Sequence, residues 1–433
     1  MRLPLPNGSV STRARSRHSI EQYHRSPVTG ISEKNRVNFM RTVNPGELQI
    51  LFLAKLPPPI HGATVVSGQV FDALKSLDYV HLTHMWDGSA STLQEIGKKD
   101  LRRIVGFVRL VARLTGRIFS RIRYDVAYLT FTPWAHTAIR DAILIFISRI
   151  IATRTLVHLH TAGLEKVLQP TTLRDRVIRR LITGAELITI TTETAQMARA
   201  SGVFNDVHTL ANTASDPGVP AIVAKTSMTC GCLSNLDRRK GVLQFVDAIA
   251  ALRHAGLPVE GRIAGAPTSD LSVADVKAYV AESGLDGCVD VLGQLSGESK
   301  TEFLSNLDLF IYLSRHDLAP LVLIEALSHA AAPIVFDTGG IREMVGAHFA
   351  DSVLSPDSSA DVFRERILEI VQRYADDPSL LVSDKKAARA RYLESFAEPI
   401  FRVHLEEIFI GPLSGGLDKN IDVFAEPSRH ASI

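Results

Sequence analysis

The sequence predicts an α/β protein with two Rossmann-like domains, each a doubly wound parallel sheet, whose sheets face each other across a cleft. Its 433 residues, 45% of them hydrophobic, are too many for one ordinary core. Apolar runs typical of buried strands alternate with helix-like segments, which is the pattern of a parallel sheet. This alternation stops at the Pro- and Gly-rich segment 212–224 and then restarts.

The elements can be assigned in order along both halves. The first strand, "LQILFLAKL" at 48–56, is followed by the loop "PPPIHGAT" at 57–64 and by a helix. The other strands of the first half are predicted at 125–131, 153–160 and 186–192. In the second half, strands are predicted at 225–234, 259–266, 288–295 and 307–314, and helices at 241–254, 273–283 and 299–306.

These elements divide the chain into five segments. We expect domains at 45–215 and 216–385, followed by a C-terminal helical segment at 386–411 that packs back toward the first domain. The basic leader 1–44 and the tail 412–433 have little apolar periodicity and are predicted to be disordered. The leader lacks the apolar core of a signal peptide, and Met40 as well as Met1 is a candidate for the natural start.

Bulk composition excludes several classes of protein. The formal charge of +2 is close to balance and gives no reason to expect a nucleic-acid partner. Three cysteines, an odd number, fit a reducing cytoplasm, and Cys230 and Cys232 lack the second pair that a metal site would need. No apolar run approaches the roughly 20 residues that span a bilayer. We therefore expect a cytoplasmic protein without a bound metal.

Two acids stand out in "RHDLAPLVLIEALSHAAAPIVFDTGG", residues 315–340. Pro320 suits the first turn of a helix running to about Ala330, which places Asp317 on a loop and Glu325 inside an apolar helix. A buried carboxylate costs several kcal/mol unless it is hydrogen-bonded, and the hydroxyls of a ligand would do this. The free NH groups at 318–322 would form an anion site. Alternatively, Glu325 pairs with a neighbouring Arg or Lys, and Asp317 is a simple helix-start acid.

A Gly-Gly turn follows the next predicted strand. The segment "DTGGIRE" at 337–343 comes after "PIVF" and opens another helix. Gly339 and Gly340 permit close backbone approach at the carboxyl edge of the sheet, where ligands of such sheets bind. These glycines are therefore candidate ligand-contacting residues.

Read together, these segments resemble the retaining glycosyltransferases of the GT-B fold, of the glycosyltransferase family 4 type. That family carries an acid, seven residues and a Glu, followed by a strand and a Gly-Gly turn, which here are Asp317, Glu325 and "PIVFDTGG". The segment "SNLDRRKGVLQFVDAIAAL" at 234–252 is similar to the family's Lys-Gly motif, and the likeness extends over about 48–410. Asp317 in place of Glu, Leu318 in place of Gly and Ala330 in place of Gly depart from the family pattern.

The resemblance implies a set of site residues. Lys240 would neutralise the donor diphosphate, and Asn235 occupies the position where many relatives carry Arg. In the first domain, on the acceptor side, Gly62 would lie against the donor phosphate and His160 near the donor sugar; "TLANTASD" around Asn212 resembles the link between the domains. The implied catalytic residues are His160 and Asp317, and the implied donor-binding residues are Gly62, Asn235, Lys240, Glu325, Gly339 and Gly340, with no metal.

A basic amphipathic helix is predicted at 100–123. Four arginines recur at four-residue spacing beside an apolar stripe; they are Arg109, Arg113, Arg117 and Arg121. Such a helix could rest on anionic lipid at the inner face of the cell membrane, or it could be an ordinary amphipathic helix that packs inward and shows arginine to water. The sequence leaves both readings open.

The resemblance implies a glycosyltransferase that moves a sugar from a UDP- or GDP-linked donor to an acceptor, with retention of configuration, in bacterial cell-surface polysaccharide assembly. The acceptor would be a lipid-linked or growing glycan. Two alternatives of other classes are a degenerate GT-B protein that binds a nucleotide sugar or a partner enzyme without turnover, and a nucleotide-sugar epimerase. A dinucleotide dehydrogenase is disfavoured because no G-x-G-x-x-G follows the first strand.

Overall fold

The computed structural model describes residues 47–58, 60–86, 101–220, 222–223 and 227–411, with the backbone alone at 101–103 and 135–136. The predicted leader 1–44, the choice between Met1 and Met40, residue Asp100 of the basic helix and the tail 412–433 lie outside these ranges. The described residues from Glu47 onward belong to one compact unit. None of the helices described combines the length and apolar character that a bilayer crossing requires.

Two parallel sheets organise this part of the chain. The strands of the first sheet are β1 Leu48–Leu53, β2 Val80–His84, β3 Tyr124–Phe131, β4 Ala152–Leu159, β5 Glu186–Thr189 and β6 Asp206–Thr209. Those of the second are β7 Met228–Leu233, β8 Val259–Ala264, β9 Val289–Val291, β10 Leu309–Tyr312, β11 Ala332–Phe336 and β12 Val353–Leu354. Each sheet has six strands, which confirms the predicted α/β fold of two doubly wound parallel sheets.

Helices connect the strands and continue beyond the second sheet. Those of the first half are α1 Gly62–Lys75, α2 Leu101–Phe119, α3 Ala135–Ile151, α4 Glu165–Leu168, α5 Leu173–Ile182 and α6 Thr192–Ser201. Those of the second half are α7 Val242–His254, α8 Val273–Glu282, α9 Gly297–Ser305, α10 Leu321–Ser328, α11 Ile341–Val345, α12 Ala360–Asp376, α13 Pro378–Ser395 and α14 Glu398–Phe409. Several begin with a Thr or Ser whose oxygen accepts a backbone NH, as at Thr191 and Ser272.

Strand order brings two pairs of loops together. The first sheet has the order β2-β1-β3-β4-β5-β6, and the second has β12-β11-β10-β7-β8-β9. The order reverses between β1 and β3 in the first sheet and between β7 and β10 in the second. In open parallel sheets, ligands bind outside the carboxyl ends of the strands at such a reversal. The loops at these positions carry Gly62 in the first sheet, and Asn235 and Asp317 in the second.

The helix after β10 is shorter than the sequence predicts. Pro320 is the N-cap residue rather than a residue of the first turn, and α10 ends at Ser328, two residues before the predicted Ala330. Ala330 has a φ of 59°, the left-handed conformation that usually belongs to glycine. Its methyl group is fully buried, so packing compensates for a conformation that costs about 1 kcal/mol.

The C-terminal helix α14 packs on the first sheet although it follows the second along the chain. Phe401 and Phe409 join a cluster that contains Ile50, Phe52 and Val66 of β1 and α1. The opposite face of the same sheet is covered by α2, α3, α5 and α6, whose inward side chains form a separate apolar cluster. The chain therefore crosses between its two halves again at its C-terminal end.

Candidate functional site

The second sheet brings two of the predicted site residues into direct contact. Lys240 ends a short 3₁₀ turn, Arg238–Lys240, between β7 and α7, and Asp317 lies in the loop after β10. Lys240 Nζ is 2.5 Å from Asp317 Oδ1, and the two side chains are 26% and 20% exposed. The hydroxyl of Tyr312, at the end of β10, donates a hydrogen bond to the other carboxylate oxygen. This ion pair therefore lies at the strand reversal.

The protonation states of this cluster follow from its contacts. Burial acts to raise the pKa of Asp317, but the charge of Lys240 and hydrogen bonds from Lys240, Ser314 and Tyr312 together hold it below its ordinary value. Burial, followed by the charge of Asp317, raises the pKa of Tyr312 well above its ordinary value. Asp317 is thus an anion at neutral pH, and Tyr312 keeps its proton and remains a donor.

Glycine lets the backbone close around the Asp317 loop. Gly241 has a φ of 76°, and a Cβ there would collide with the carbonyl oxygen of Leu313. On the other side of the loop, Gly339 has a φ of 57°, and its Cβ would lie 2.5 Å from the carbonyl oxygen of Asp317. The NH of Gly340 donates to Leu318 O at 2.7 Å. The Lys-Gly and Gly-Gly motifs therefore touch the same loop.

Glu325 is less buried than the sequence predicts and already has a cation beside it. Its Oε1 accepts a hydrogen bond from Lys300 Nζ of α9 at 2.6 Å, and its side chain is 25% exposed. The alternative of an internal Lys partner is therefore the observed one. Its second oxygen, Oε2, is buried and has no hydrogen-bond partner in the described part of the chain. Lys300 was missed because only tertiary packing places α9 against α10.

The first sheet contributes histidines and a glycine. Gly62 opens α1 after the N-cap residue His61, and a Cβ there would meet nothing within 4 Å. His160 follows β4, and its ring centroid lies 4.0 Å from that of His158. Burial, followed by repulsion from His61, lowers the pKa of His160 to about 4. In the described residues, His160 Nε2 is buried without a hydrogen-bond partner.

His158, which lies within β4, has a clear internal partner. Its Nδ1 lies 2.9 Å from the hydroxyl of the buried Tyr128. Burial, with a further contribution from His160, lowers the pKa of His158 well below its ordinary value. The tyrosine holds this ring in the core, whereas His160 lies at the strand end.

A pH-dependent loss of stability follows from these neutral rings. A histidine whose folded pKa is lowered takes up its proton mainly on unfolding, so stability is full above pH 6.5 and is lost as pH falls toward 4. We expect His160→Gln to reduce the slope of unfolding free energy between pH 6 and 5 by about 1.4 kcal/mol per pH unit. Urea unfolding at several pH values measures this slope. The exposed His254→Gln should leave it unchanged; an unaltered slope in His160→Gln would contradict the assignment.

Asn235 is placed differently from the other predicted donor-binding residues. It is an exposed residue of the loop after β7, and its carbonyl oxygen accepts a hydrogen bond from the Ser234 hydroxyl at 3.1 Å. Within the described residues, no hydrogen bond or ion pair joins its side chain to Lys240 or Asp317. A role of Asn235 in binding stays a prediction.

The carboxyl edges of the two sheets meet beside this site. Glu343 of α11 accepts hydrogen bonds from Thr192 at the start of α6, from the backbone NH at 2.9 Å and from the hydroxyl at 2.6 Å. Asn212 donates its side-chain amide to Ala319 O at 3.2 Å. A cavity of ≈ 310 Å³ lies at this junction, lined by residues that include Thr191, Asn212, Ala319, Ile324, Gly340 and Glu343. Thr192 and Glu343 were not anticipated, because neither carries a local sequence signal.

A second charged cluster lies at the opposite edge of the first sheet. Glu186, Asp206 and His208 lie close enough for their ligand atoms to reach one cation. Arg154, however, donates two hydrogen bonds to Glu186, at 2.9 and 2.6 Å, and a third to Phe409 O at 3.1 Å. Burial acts to raise the pKa of Glu186, but the bonds from His208 and Arg154 lower it to about 2. The guanidinium of Arg154 therefore supplies the positive charge that a metal ion would bring to this cluster.

Comparison with known proteins gives a partial sequence match. Residues 227–373 match the family model described as Glycosyl transferases group 1. The amylovoran biosynthesis glycosyltransferase AmsK of Erwinia amylovora is 26% identical over 182 residues, which are 41% of this chain and 43% of that protein. The alpha-maltose-1-phosphate synthase of Mycobacterium tuberculosis is 27% identical over 168 residues, 38% of this chain and 43% of that protein. The chain thus aligns with less than half the length of these curated relatives.

Solved structures match over most of the chain. The sucrose-phosphate synthase of Thermosynechococcus elongatus has a TM-score of 0.65 at 14% identity, and the match covers 84% of this chain and 99% of that one. Anabaena HepE, solved in complex with UDP, has a TM-score of 0.62 at 17% identity, with 83% and 99% covered. These likenesses show the fold, and the predicted GT-B architecture is confirmed.

Proposed function

We propose that this chain, whose residues 227–373 match the Glycosyl transferases group 1 family, is a glycosyltransferase that moves a sugar from a nucleotide-sugar donor to an acceptor with retention of anomeric configuration. The observation that carries the proposal is the Lys240–Asp317 pair at the strand reversal of the second sheet. A cation held there by an acid, beside the start of α10 and the Gly-Gly turn, is suited to receive an anionic leaving group.

In the proposed reaction, the bond between the anomeric carbon and the diphosphate oxygen breaks, the oxygen of the acceptor hydroxyl bonds to the same face of the sugar, and the proton of that hydroxyl passes to the departing diphosphate. Negative charge then grows on the departing nucleoside diphosphate, and Lys240 neutralises it. The Gly62 loop, Asn235 and the backbone at Gly339 and Gly340 would contact the donor. This charge stabilisation lowers the barrier without requiring a metal.

The carboxylates and His160 would position the sugar and the nucleotide. Glu325 Oε2, which is buried without a hydrogen-bond partner in the described residues, would accept a donor hydroxyl. Asp317 would exchange its contact with Lys240 for a sugar hydroxyl as the lysine turns to the diphosphate. His160, neutral at physiological pH because its pKa is about 4, would accept or donate one hydrogen bond to the sugar.

The donor base and the acceptor are proposed at the level of class. The donor is a UDP- or GDP-linked sugar, and the relative HepE was solved with UDP. The acceptor is a lipid-linked or growing glycan, and AmsK is a glycosyltransferase of amylovoran biosynthesis. We propose that the enzyme acts in the cytoplasm, at the inner face of the membrane, in bacterial cell-surface polysaccharide assembly.

A second candidate is a GT-B protein that binds a nucleotide sugar, or a partner enzyme, without turnover. The observation in its favour is that both acids of the motif are already paired, Asp317 with Lys240 and Glu325 with Lys300. A second observation in its favour is Ala330, which stands where the family pattern has glycine and adopts a left-handed conformation after α10. In such a protein the ion pairs would hold the fold and would not open for a donor.

Nucleotide screening and product analysis together test the two candidates. Purified protein is incubated with UDP, GDP and their common sugar conjugates, and thermal unfolding is recorded, because a bound ligand stabilises by mass action. The stabilising donor is then followed by NMR for hydrolysis or transfer. Retained anomeric configuration in the product supports the proposal. Binding without any release of nucleoside diphosphate supports the second candidate, and inversion or epimerisation of the sugar overturns retaining transfer.

A further inference from the structure

Three helices form one outer layer on the first sheet. Helices α2, α3 and α5 bury their inner side chains in one apolar cluster on the same face of that sheet, with Leu114, Ile145 and Ile178 among them. Helix α3 packs against both α2 and α5. Their outward sides therefore make a continuous surface, which we call the α2–α3–α5 face, separate from the face covered by α1 and α14.

The charge of this layer differs sharply from that of the whole chain. There are five arginines in α2, two in α3 and four in α5. The acids of the three helices are Asp141, which is bonded by Arg140, and Asp175, which is bonded by Thr172. Since the complete sequence has a net charge of only +2, positive charge is concentrated on this side of the molecule.

Large apolar side chains accompany the arginines on the outer side of α2. Leu110 and Leu114 point into the core, whereas Ile104, Val108 and Phe119 are 61%, 59% and 83% exposed. The outward arginines of this helix are not held by acids: within the described residues, Arg109, Arg113 and Arg117 make no ion pair. A helix with an inward apolar face normally shows only polar groups to water, and α2 does not.

Exposed apolar side chains also accompany arginines on α3 and α5. Phe146 and Ile150, one turn apart on α3, are 43% and 41% exposed. Arg123 Nη1 donates to Ile150 O at 3.0 Å, which ties the segment between α2 and β3 to the end of α3. On α5, Leu173 and Val177 are exposed one turn apart, and the exposed arginines beside them are Arg174, Arg176 and Arg180.

Arg121 adds an independent observation. It follows α2 with a φ of 53°, a left-handed conformation in which glycine is the residue without strain. The NH of Ile122 closes this turn on Arg117 O at 3.1 Å. The chain keeps a long, exposed cation at a position where glycine would fit better, beside the exposed Phe119. An exposed cation at such a position indicates that the arginine serves a function of the protein surface and does not stabilise the fold.

We propose that the α2–α3–α5 face rests on the surface of an anionic bilayer. Guanidinium groups reach lipid phosphates while Ile104, Val108, Phe119 and Phe146 enter the boundary between headgroups and acyl chains. A second copy of the chain would bring like charges together on this face. Nucleic acid would satisfy the arginines but would leave the aliphatic side chains in water. The proposal stands on different residues from the transfer reaction and does not depend on it.

Vesicle co-sedimentation tests the face directly. The full chain is mixed with vesicles of phosphatidylcholine alone or with phosphatidylglycerol at about 0.1 M salt, where charges separated by more than about 10 Å are screened. We expect wild-type protein to bind the anionic vesicles and not the neutral ones. The double variant Arg109→Glu and Arg113→Glu should bind at least tenfold more weakly, because each charge near the surface contributes. Arg253→Glu on α7 is the matched control and should bind as wild type does.

Arg121→Gly separates binding from folding. It removes a charge and relieves the left-handed strain, so we expect roughly fivefold weaker vesicle binding together with a Tm equal to or above that of the wild type. Nucleotide-induced thermal shifts should persist in all these variants, which distinguishes failure of this proposal from failure of the proposed function. Equal binding by wild type and the double variant, equal binding to neutral vesicles, or self-association through this face in sedimentation velocity would overturn the proposal.

Discussion

Lys240→Ala is expected to reduce turnover by about 10²–10³-fold, the usual effect of removing one group that stabilises transition-state charge. Lys240 is the cation held at the strand reversal, 2.5 Å from Asp317. Without it, the departing diphosphate loses its counter-charge, and burial of Asp317 acts with less compensation, so that the pKa of Asp317 rises. Turnover with the stabilising donor and nucleotide-induced thermal shift measure the two consequences, and both should fall.

Two further variants sharpen this prediction. Lys277→Ala removes an exposed lysine of α8, on the same domain, and should keep both turnover and thermal shift. The double variant Lys240→Ala and Asp317→Asn removes both charges of the pair, so that no unpaired acid remains. If the double variant recovers folding stability and still fails to bind nucleotide, Lys240 acts on the donor. Wild-type binding in either variant that lacks Lys240 would exclude that role.

Lys385→Met is expected to lower the free energy of unfolding by about 3–5 kcal/mol, because it leaves a buried carboxylate without its cation. Lys385 of α13 is 3% exposed, and its Nζ lies 2.7 Å from Oδ1 of Asp308, which is 1% exposed. The same Nζ donates to Leu307 O at 3.2 Å. This pair ties α13 to the start of β10, the strand that leads to Asp317. For a domain of about 150–250 residues, this loss of unfolding free energy corresponds to a fall in Tm of roughly 6–20 °C.

The neighbouring lysine provides the control for this stability prediction. Lys386→Met has the same chemistry one residue later, at an exposed position, and should change the Tm little. Replacing both partners, with Asp308→Asn and Lys385→Met, should recover part of the loss because the buried negative charge of Asp308 is then removed together with its cation. Calorimetry of the variants measures these differences. Equal Tm values for Lys385→Met and Lys386→Met would show that the buried pair contributes nothing to stability.

Local sequence predicts most of the scaffold because strands and helices differ in the spacing of their apolar residues. The run "DVAYLTF" lies within β3 and the run "LDLFIYLS" contains β10, and in the sequence the Pro- and Gly-rich segment after Asn212 separates the strands of the first sheet from those of the second. Three strands are not predicted in this way. The strand β12 has only two residues, and β2 and β6, "VHLTH" and "DVHT", contain His and Thr in place of an apolar run.

The candidate site is predictable in part, for a different reason. Lys240, Asp317, Gly339 and Gly340 stand in motifs whose residue types carry chemistry or backbone freedom, and the fold brings all four to one loop. The partners of Glu325 and the exposure of Asn235 are not local properties. Lys300 precedes Glu325 by 25 residues, and no spacing rule indicates that their helices pack together.

By itself, the sequence determined the alternation of strand and helix, the two-sheet architecture and the residues able to carry charge at the carboxyl edges of the strands. Only the tertiary structure decided which charges meet, as in the pairing of Lys240 with Asp317 across 77 positions. It also decided that the outward sides of α2, α3 and α5 join into one surface. Secondary structure follows from neighbours a few residues apart, whereas ion pairs and surfaces depend on strand order and helix packing, which join distant segments.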